Sequence, residues 1–68
     1  MLNKKIKSNV DVDFGEIIIQ TFYADRTYLC TEETKTDYTF KDIDRPVAQV
    51  IRIDKKEFDE IKNQFTII

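Results

Sequence analysis

The chain has 68 residues, of which 41% are apolar and 35% charged, and its formal net charge is −2. This length supports one small hydrophobic core, so we expect a single domain over residues 1–68 with a free energy of unfolding of about 3 to 10 kcal/mol. The supply of Ile, Val, Phe and Tyr excludes an intrinsically disordered chain, and so small a core argues against a deep substrate cleft.

The first predicted element is a strand at residues 10–14. Apolar and acidic residues alternate there with a period of two, which is typical of a strand with one face in water. Gly15 then interrupts the pattern and marks either a bulge in one long strand or a tight reversal. In the segment Glu16 to Ala24 both faces of a strand would be largely apolar. The face turned away from the core must therefore be covered by the fold itself, by a second copy or by a partner.

Further strands are predicted in the middle of the chain. Residues 25–26 make a two-residue turn into the β-prone segment Thr27 to Thr31, and a short strand follows at Asp37 to Phe40. A polar loop ends at Pro46, which favours extended backbone in the residue before it. The segment Val47 to Ile53 then alternates again and predicts the last strand of the sheet.

The C-terminal segment carries the signals of a helix start. Asp54 is suited to cap the helix, and Glu57 occupies the capping-box position that reaches back to the cap. Ile53 and Phe58 have the spacing of a hydrophobic staple across that cap. The side facing the core has apolar residues at helical spacing: Phe58, Ile61 and Phe65. We expect a helix of roughly three turns that ends near Gln64.

Together these elements predict an α+β domain, in which a small antiparallel sheet of about four strands has one C-terminal helix packed on one face. The alternative is a small bent β-barrel-like domain closed by the helix. The predicted core residues are Phe14, Ile17, Ile19, Leu29, Val50, Ile53, Phe58, Ile61 and Phe65.

The sequence lacks most of the side chains on which enzymes depend. It contains no histidine, the commonest general base, and its one glycine excludes a glycine-rich phosphate loop. Cys30 is the only cysteine, so no internal disulfide forms, and a buried structural thiol is the favoured interpretation. We therefore expect no enzyme, no catalytic residue and no cofactor. The unpaired cysteine and the absence of a signal-peptide pattern predict a cytoplasmic protein that stays off the membrane.

Two aspartate pairs have the spacing of metal ligands. Asp11 with Asp13, and Asp42 with Asp44, stand two residues apart, as the first ligands of a calcium loop do. The twelfth residue of such a loop should be a bidentate glutamate, but it is Phe in one case and Ile in the other. We therefore predict no metal site and assign both pairs to solvated strand and loop faces.

Charge is distributed unevenly along the chain. Residues 11–44 contain nine acidic and three basic residues, a net charge of −6, whereas residues 1–10 carry +3 and residues 45–68 carry +1. A sheet that presents its carboxylates together would attract a basic surface, including a groove that normally binds nucleic acid. Aromatic residues on the predicted strands could instead stack on single-stranded bases, but negative charge disfavours that function.

The leading hypothesis is a non-enzymatic protein-binding module that recognises a basic protein surface, such as an acidic inhibitor or nucleic-acid mimic of the sort that phages and other mobile elements carry. A structural or regulatory homodimer is the first alternative, and a nucleic-acid-binding β-sheet module is the second. The predicted partner-binding residues are the middle acids and three tyrosines suited to half-wet interfaces: Asp11, Asp13, Tyr23, Tyr28, Glu32, Glu33, Asp37, Tyr38, Asp42 and Asp44.

Overall fold

The computed structural model describes residues 1–45 and 49–68, and within these ranges the chain forms seven strands, one α-helix and one 3-10 turn. Pro46 and the first two residues of the predicted strand Val47 to Ile53 lie outside the described residues. The elements are β1 (Lys5–Ser8), β2 (Val12–Phe14), β3 (Gln20–Phe22), β4 (Thr27–Glu33), β5 (Asp37–Asp42), β6 (Val50–Asp54), α1 (Lys55–Ile61), the 3-10 turn (Lys62–Gln64) and β7 (Phe65–Ile67).

The strands form two antiparallel sheets. A five-stranded sheet has the order β6-β5-β4-β1-β7, and β2 pairs with β3 as a separate hairpin. The α+β class and the C-terminal helix are confirmed, but the predicted count of about four strands is wrong. In the described part of the chain the large sheet is open, with β6 and β7 at its edges, so the closed-barrel alternative is also wrong. The prediction omitted β1 and β7. Both strands are short, and they pair with each other although they lie at opposite ends of the sequence.

The inner face of the five-stranded sheet is covered by the β2–β3 hairpin and by α1. The ring of Phe22, on the hairpin, lies with its centroid 5.0 Å from that of Tyr28 and 5.7 Å from that of Phe40, both of which point inward from the sheet. The ring of Phe58, on α1, stacks on Phe40 with the centroids 5.4 Å apart. The buried cluster consists of Ile6, Val12, Phe14, Phe22, Tyr28, Cys30, Phe40, Ile51, Ile53 and Phe58.

The predicted core is only partly correct. Phe14, Ile53 and Phe58 are buried, and Ile61 and Phe65 pack against the core while partly exposed. Four other predicted core residues are not buried: Ile17, Ile19 and Val50 are exposed, and Leu29 is half-buried on the outer face of the sheet. The error at the isoleucines arises because the expected strand Glu16 to Ala24 is mostly loop, with only Gln20–Phe22 in β3.

Helix α1 begins as predicted but is shorter. The Asp54 carboxylate accepts hydrogen bonds from the Lys56 amide at 2.7 Å and the Glu57 amide at 3.4 Å, so Asp54 is the N-cap. The predicted capping-box contact of Glu57 is replaced, because its carboxylate accepts a hydrogen bond from the amide of Gly15 at 2.8 Å. The α-helical part has two turns, and the 3-10 turn leads into β7, which places Phe65 in a strand and not on the predicted helix face.

Candidate functional site

Three consecutive isoleucines are exposed at the end of the β2–β3 hairpin. Ile17, Ile18 and Ile19, here called the isoleucine tip, have 97%, 74% and 60% of their surface exposed to water. Single exposed apolar residues are common on protein surfaces, whereas large contiguous apolar patches are typical of interaction sites. The three isoleucines lie in the loop between β2 and β3, beyond the part of the hairpin that covers the core.

The tip has a defined shape because Gly15 makes a reversal that other residues would not tolerate. Gly15 has a φ of +102°, and a Cβ atom at this position would collide with the carbonyl oxygen of Ile18. The reversal brings the Ile18 carbonyl back over the start of the loop. Of the two sequence interpretations of Gly15, the tight reversal is therefore confirmed.

The base of the hairpin is held by the pairing of its own two strands and by a contact with helix α1. In the hairpin ladder Phe14 lies opposite Gln20, and on its outer face the Thr21 hydroxyl donates to the Asp13 carboxylate at 2.7 Å. The Gly15 amide donates to the Glu57 carboxylate at 2.8 Å, which ties the hairpin to helix α1. The isoleucine tip thus projects from a loop whose base is closed by the β2–β3 ladder and is also hydrogen-bonded to α1.

Carboxylates lie between α1 and the loop that carries the tip. Between the hairpin and α1 lies an open cavity of about 320 Å³, whose lining comprises Glu16, Asp54, Lys56, Glu57 and Glu60. We call its four acidic residues the acidic rim. Two of them already have internal partners, since Asp54 caps the helix and Glu57 binds the Gly15 amide. Among residues 1–45 and 49–68, no group of three or more acidic or cysteine side chains has the arrangement of a metal site.

The predicted partner-binding acids do not come together as one patch, because several of them satisfy nearby backbone amides. Asp11 accepts a hydrogen bond from the Ala24 amide at 2.7 Å, and Asp44 accepts one from the Thr27 amide. Asp37 forms an ion pair with Arg52 at 3.1 Å. Glu32 is exposed on the outer face of the sheet, where it lies opposite Thr39. Asp11 and Asp44 thus both bind the segment from Ala24 to Thr27, whereas Asp37 and Glu32 lie toward the other end of the β4–β5 pair.

Two predicted contact residues are fully buried, which corrects their assignment. Tyr28 points into the core, and its hydroxyl oxygen accepts a hydrogen bond from the Tyr23 amide at 2.8 Å. Burial raises the pKa of the Tyr28 phenol. Asp42 is also completely buried and lies 3.5 Å from the guanidinium of Arg26. Neither side chain can contact a partner in this conformation, because the two-residue period of their strands turns both inward.

The other two predicted tyrosines are only partly available. Tyr23 is 39% exposed, and the guanidinium of Arg26 covers its ring at 4.4 Å from the centroid. Tyr38 is half-buried, with its ring 5.4 Å from that of Phe58 and the Lys55 amine 5.1 Å from its centroid. Because the described aromatic rings are mostly directed inward, they do not form the stacking platform that base recognition requires.

Glu33 is neutralised within the fold. Its carboxylate lies 3.0 Å from the Lys55 amine and 3.1 Å from the amino group of Met1. Hydrogen bonds from these two groups, with Lys55 the stronger influence, lower the pKa of Glu33 to about 2. Its charge therefore serves to tie β4 to the start of α1 and to the start of the chain.

The outer face of the five-stranded sheet is mixed in charge, so the condition for an acidic sheet surface is not met there. One cross-strand row places Lys5, Leu29, Lys41 and Val50 side by side. The exposed bases on this face are Lys5, Lys7, Lys41 and Arg52, and the acids are Glu32 and Asp37. The acidic side chains that flank an apolar surface are those of the acidic rim, of which the sequence interpretation named none as a contact residue.

The chain matches no protein-family model, and no curated protein or solved structure is significantly similar to it. In the ranges that the structure describes, α1 and the short 3-10 turn are neither long nor apolar enough to cross a membrane. Cys30 is buried, and its burial raises the pKa of the thiol, which disfavours the reactive thiolate.

Proposed function

We propose that this chain is a non-enzymatic protein-binding module that inserts its isoleucine tip into an apolar socket bordered by lysine or arginine side chains on another protein. The observation that supports the proposal most directly is the exposure of three adjacent isoleucines on a well-defined hairpin. Such a surface has an unfavourable contact with water in the free protein, which a partner would remove.

The acidic rim favours a basic protein over other ways of covering the tip. A tip-to-tip homodimer would bring together two cavity linings, each with four carboxylates against one cation, Lys56, and like net charges at an interface disfavour association. An anionic membrane surface would repel the rim for the same reason. A basic protein surface would instead be attracted to the carboxylates at the edge of the contact, and this attraction would weaken with salt.

The isoleucines contribute enough energy to make the proposal measurable. Complete burial of one isoleucine side chain is worth about 1.5 to 3 kcal/mol, so Ile17 and Ile18 together would contribute about 3 to 6 kcal/mol to a complex. That range corresponds to a change in Kd of about 100-fold to 10 000-fold. Replacing both residues should change folding little, because their side chains are already in water in the free protein.

A nucleic-acid mimic is a narrower form of the same proposal. It would need a row of carboxylates spaced like phosphates. Asp11 and Asp44 are engaged by backbone amides and Asp37 by Arg52, which gives that form little support. An inhibitor that covers a basic groove with the tip and the acidic rim remains within the proposal.

The test compares a tip variant with a control variant of matched chemistry. The tip variant is Ile17→Ser/Ile18→Ser, and the control is Val50→Ser/Ile67→Ser, whose original side chains are 62% and 65% exposed at strand ends away from the tip. Proteins captured from a lysate of the native cells are identified by mass spectrometry. The purified partner is then titrated against each variant by calorimetry at low and high salt.

We expect the wild type and the control to bind the same partner, with affinity that decreases as salt increases. The tip variant should bind at least about 100-fold more weakly while its thermal unfolding temperature remains close to that of the wild type. Equal binding by the tip variant would refute the proposal, as would self-association of the wild type that the tip variant abolishes.

A further inference from the structure

Glu57 connects helix α1 to the loop that carries the isoleucine tip. Its carboxylate accepts a hydrogen bond from the Gly15 amide at 2.8 Å, between residues that are 42 positions apart in sequence, and the contact is partly buried. The amide belongs to the one residue whose positive φ creates the reversal. Glu57 therefore acts on the backbone position that sets the direction of the loop.

We infer that Glu57 is a positioning residue that fixes the conformation of the isoleucine tip before a partner binds, an inference whose functional part rests on the function proposed above. A loop that includes a glycine has more conformational freedom to lose on binding than other loops have. The contact therefore removes freedom from the tip in the free protein, which lowers the entropic penalty of binding.

Glu57 is available for this role because the helix start does not require it. Asp54 caps the first amides of α1 by itself, and it also remains the last residue of β6, in register with Asp37. The Lys55 amide donates to the Thr36 carbonyl at 2.8 Å, so the first residue of the helix is also satisfied by the sheet. The Glu57 side chain can thus turn away from the cap and toward the hairpin.

The hydrogen bond and the charge of Glu57 predict different effects, and two variants separate them. Glu57→Gln keeps a carbonyl oxygen that can accept from the Gly15 amide but removes the charge. Glu57→Ala removes both. Glu60→Ala is the matched control, because Glu60 lines the same cavity and is exposed. Amide hydrogen exchange of the purified, 15N-labelled proteins reports on Gly15 directly and needs no partner.

In Glu57→Ala we expect the Gly15 amide to exchange about tenfold faster or more than in the wild type. The amide of Cys30, which donates to the Lys4 carbonyl at 2.9 Å inside the sheet, should keep its wild-type rate. Glu57→Gln and Glu60→Ala should leave exchange at Gly15 within about threefold of the wild type. An unchanged Gly15 rate in Glu57→Ala would overturn the inference, and so would a Glu57→Gln variant that behaves like Glu57→Ala.

Affinity for the partner tests the functional part at high salt, where the charge of the rim is screened. There we expect Glu57→Ala to bind several-fold more weakly than the wild type. Asp59→Ala, which removes an exposed carboxylate of α1 outside the cavity lining, should bind as the wild type does. Equal affinity of Glu57→Ala at high salt would overturn the positioning role. The two proposals fail separately, because the proposed function fails if the Ile17→Ser/Ile18→Ser variant retains binding, whatever the exchange rate at Gly15.

Discussion

The ion pair between the buried carboxylate of Asp42 and Arg26 provides a strong test of the fold, because removing one or the other charge should lower the stability by unequal amounts. Asp42 accepts a hydrogen bond from the Asp44 amide at 2.9 Å and lies 3.5 Å from the guanidinium of Arg26. The Arg26 side chain is 22% exposed and also covers the Tyr23 ring, whereas Asp42 has no exposed surface. Arg26 can therefore return to water when it loses its partner, but Asp42 cannot.

Breaking a buried ion pair by removing one partner costs about 3 to 5 kcal/mol when a charge is left uncompensated. For Arg26→Met we expect a loss of stability near the lower end of this range, about 3 kcal/mol. The Asp44 amide remains bound to Asp42, and the 3.5 Å separation of the ion pair is long. For Asp42→Asn we expect about 1 kcal/mol, since the amide oxygen still accepts from Asp44. A stability of only about 3 to 10 kcal/mol makes both losses easy to measure.

Equilibrium unfolding in urea at pH 7 measures these losses in the two single variants and in the double variant. Because the double variant contains no buried charge, it should be more stable than Arg26→Met alone, with a coupling energy of at least about 1 kcal/mol. The loss of the cation–π contact with Tyr23 occurs with and without Asp42, so it cancels in the cycle. The explanation is refuted if Asp42→Asn costs as much as Arg26→Met, or if the double variant gains no stability over Arg26→Met.

Two further predictions concern the hairpin and the start of the chain. Gly15→Ala should lower the free energy of unfolding in urea by about 1 to 3 kcal/mol, because a Cβ atom at a φ of +102° would collide with the Ile18 carbonyl oxygen. An unchanged midpoint of urea unfolding would contradict the reversal at Gly15. Glu33 has its pKa lowered from an ordinary value near 4.5 to about 2, so its ion pairs contribute stability above pH 4.5 that is lost as the pH falls toward 2. The unfolding temperatures of the wild type and Glu33→Gln should therefore differ at pH 6 and converge near pH 2, and a difference that does not change with pH would contradict this assignment.

Under the proposed function, an apolar tip beside a charged rim would allow so small a protein to bind selectively. The isoleucines would supply binding energy that does not depend on salt, and the carboxylates would bias the encounter toward partners of opposite charge. A partner with an apolar socket but an acidic border would be disfavoured by the same rim. In that proposal, selectivity would depend on the position of four carboxylates relative to one hairpin, which the hydrogen bond between Glu57 and Gly15 helps to define.

Local patterns in the sequence were sufficient for several features. Alternation of apolar and acidic residues before Gly15 correctly predicts β2, and the Asp54 signal correctly predicts the start of α1. The burial of Cys30 agrees with the residue type, because free cysteine is among the most buried side chains. These features depend on neighbouring residues, whose geometry is determined by backbone period and by short-range hydrogen bonds.

The tertiary structure alone decided which faces and loops are covered. A period of two defines the two faces of a strand but does not say which one packs, so Asp42 and Tyr28 were predicted on the surface and lie in the core. The pairing of β1 with β7 joins the two ends of the chain, which no local pattern indicates. The composition of Ile17–Ile19 favours burial, but the hairpin ends its pairing at Gln20 and leaves the three side chains beyond the core. The candidate site arises there because burial depends on what the rest of the chain can reach, and sequence hydrophobicity measures only the tendency to be buried.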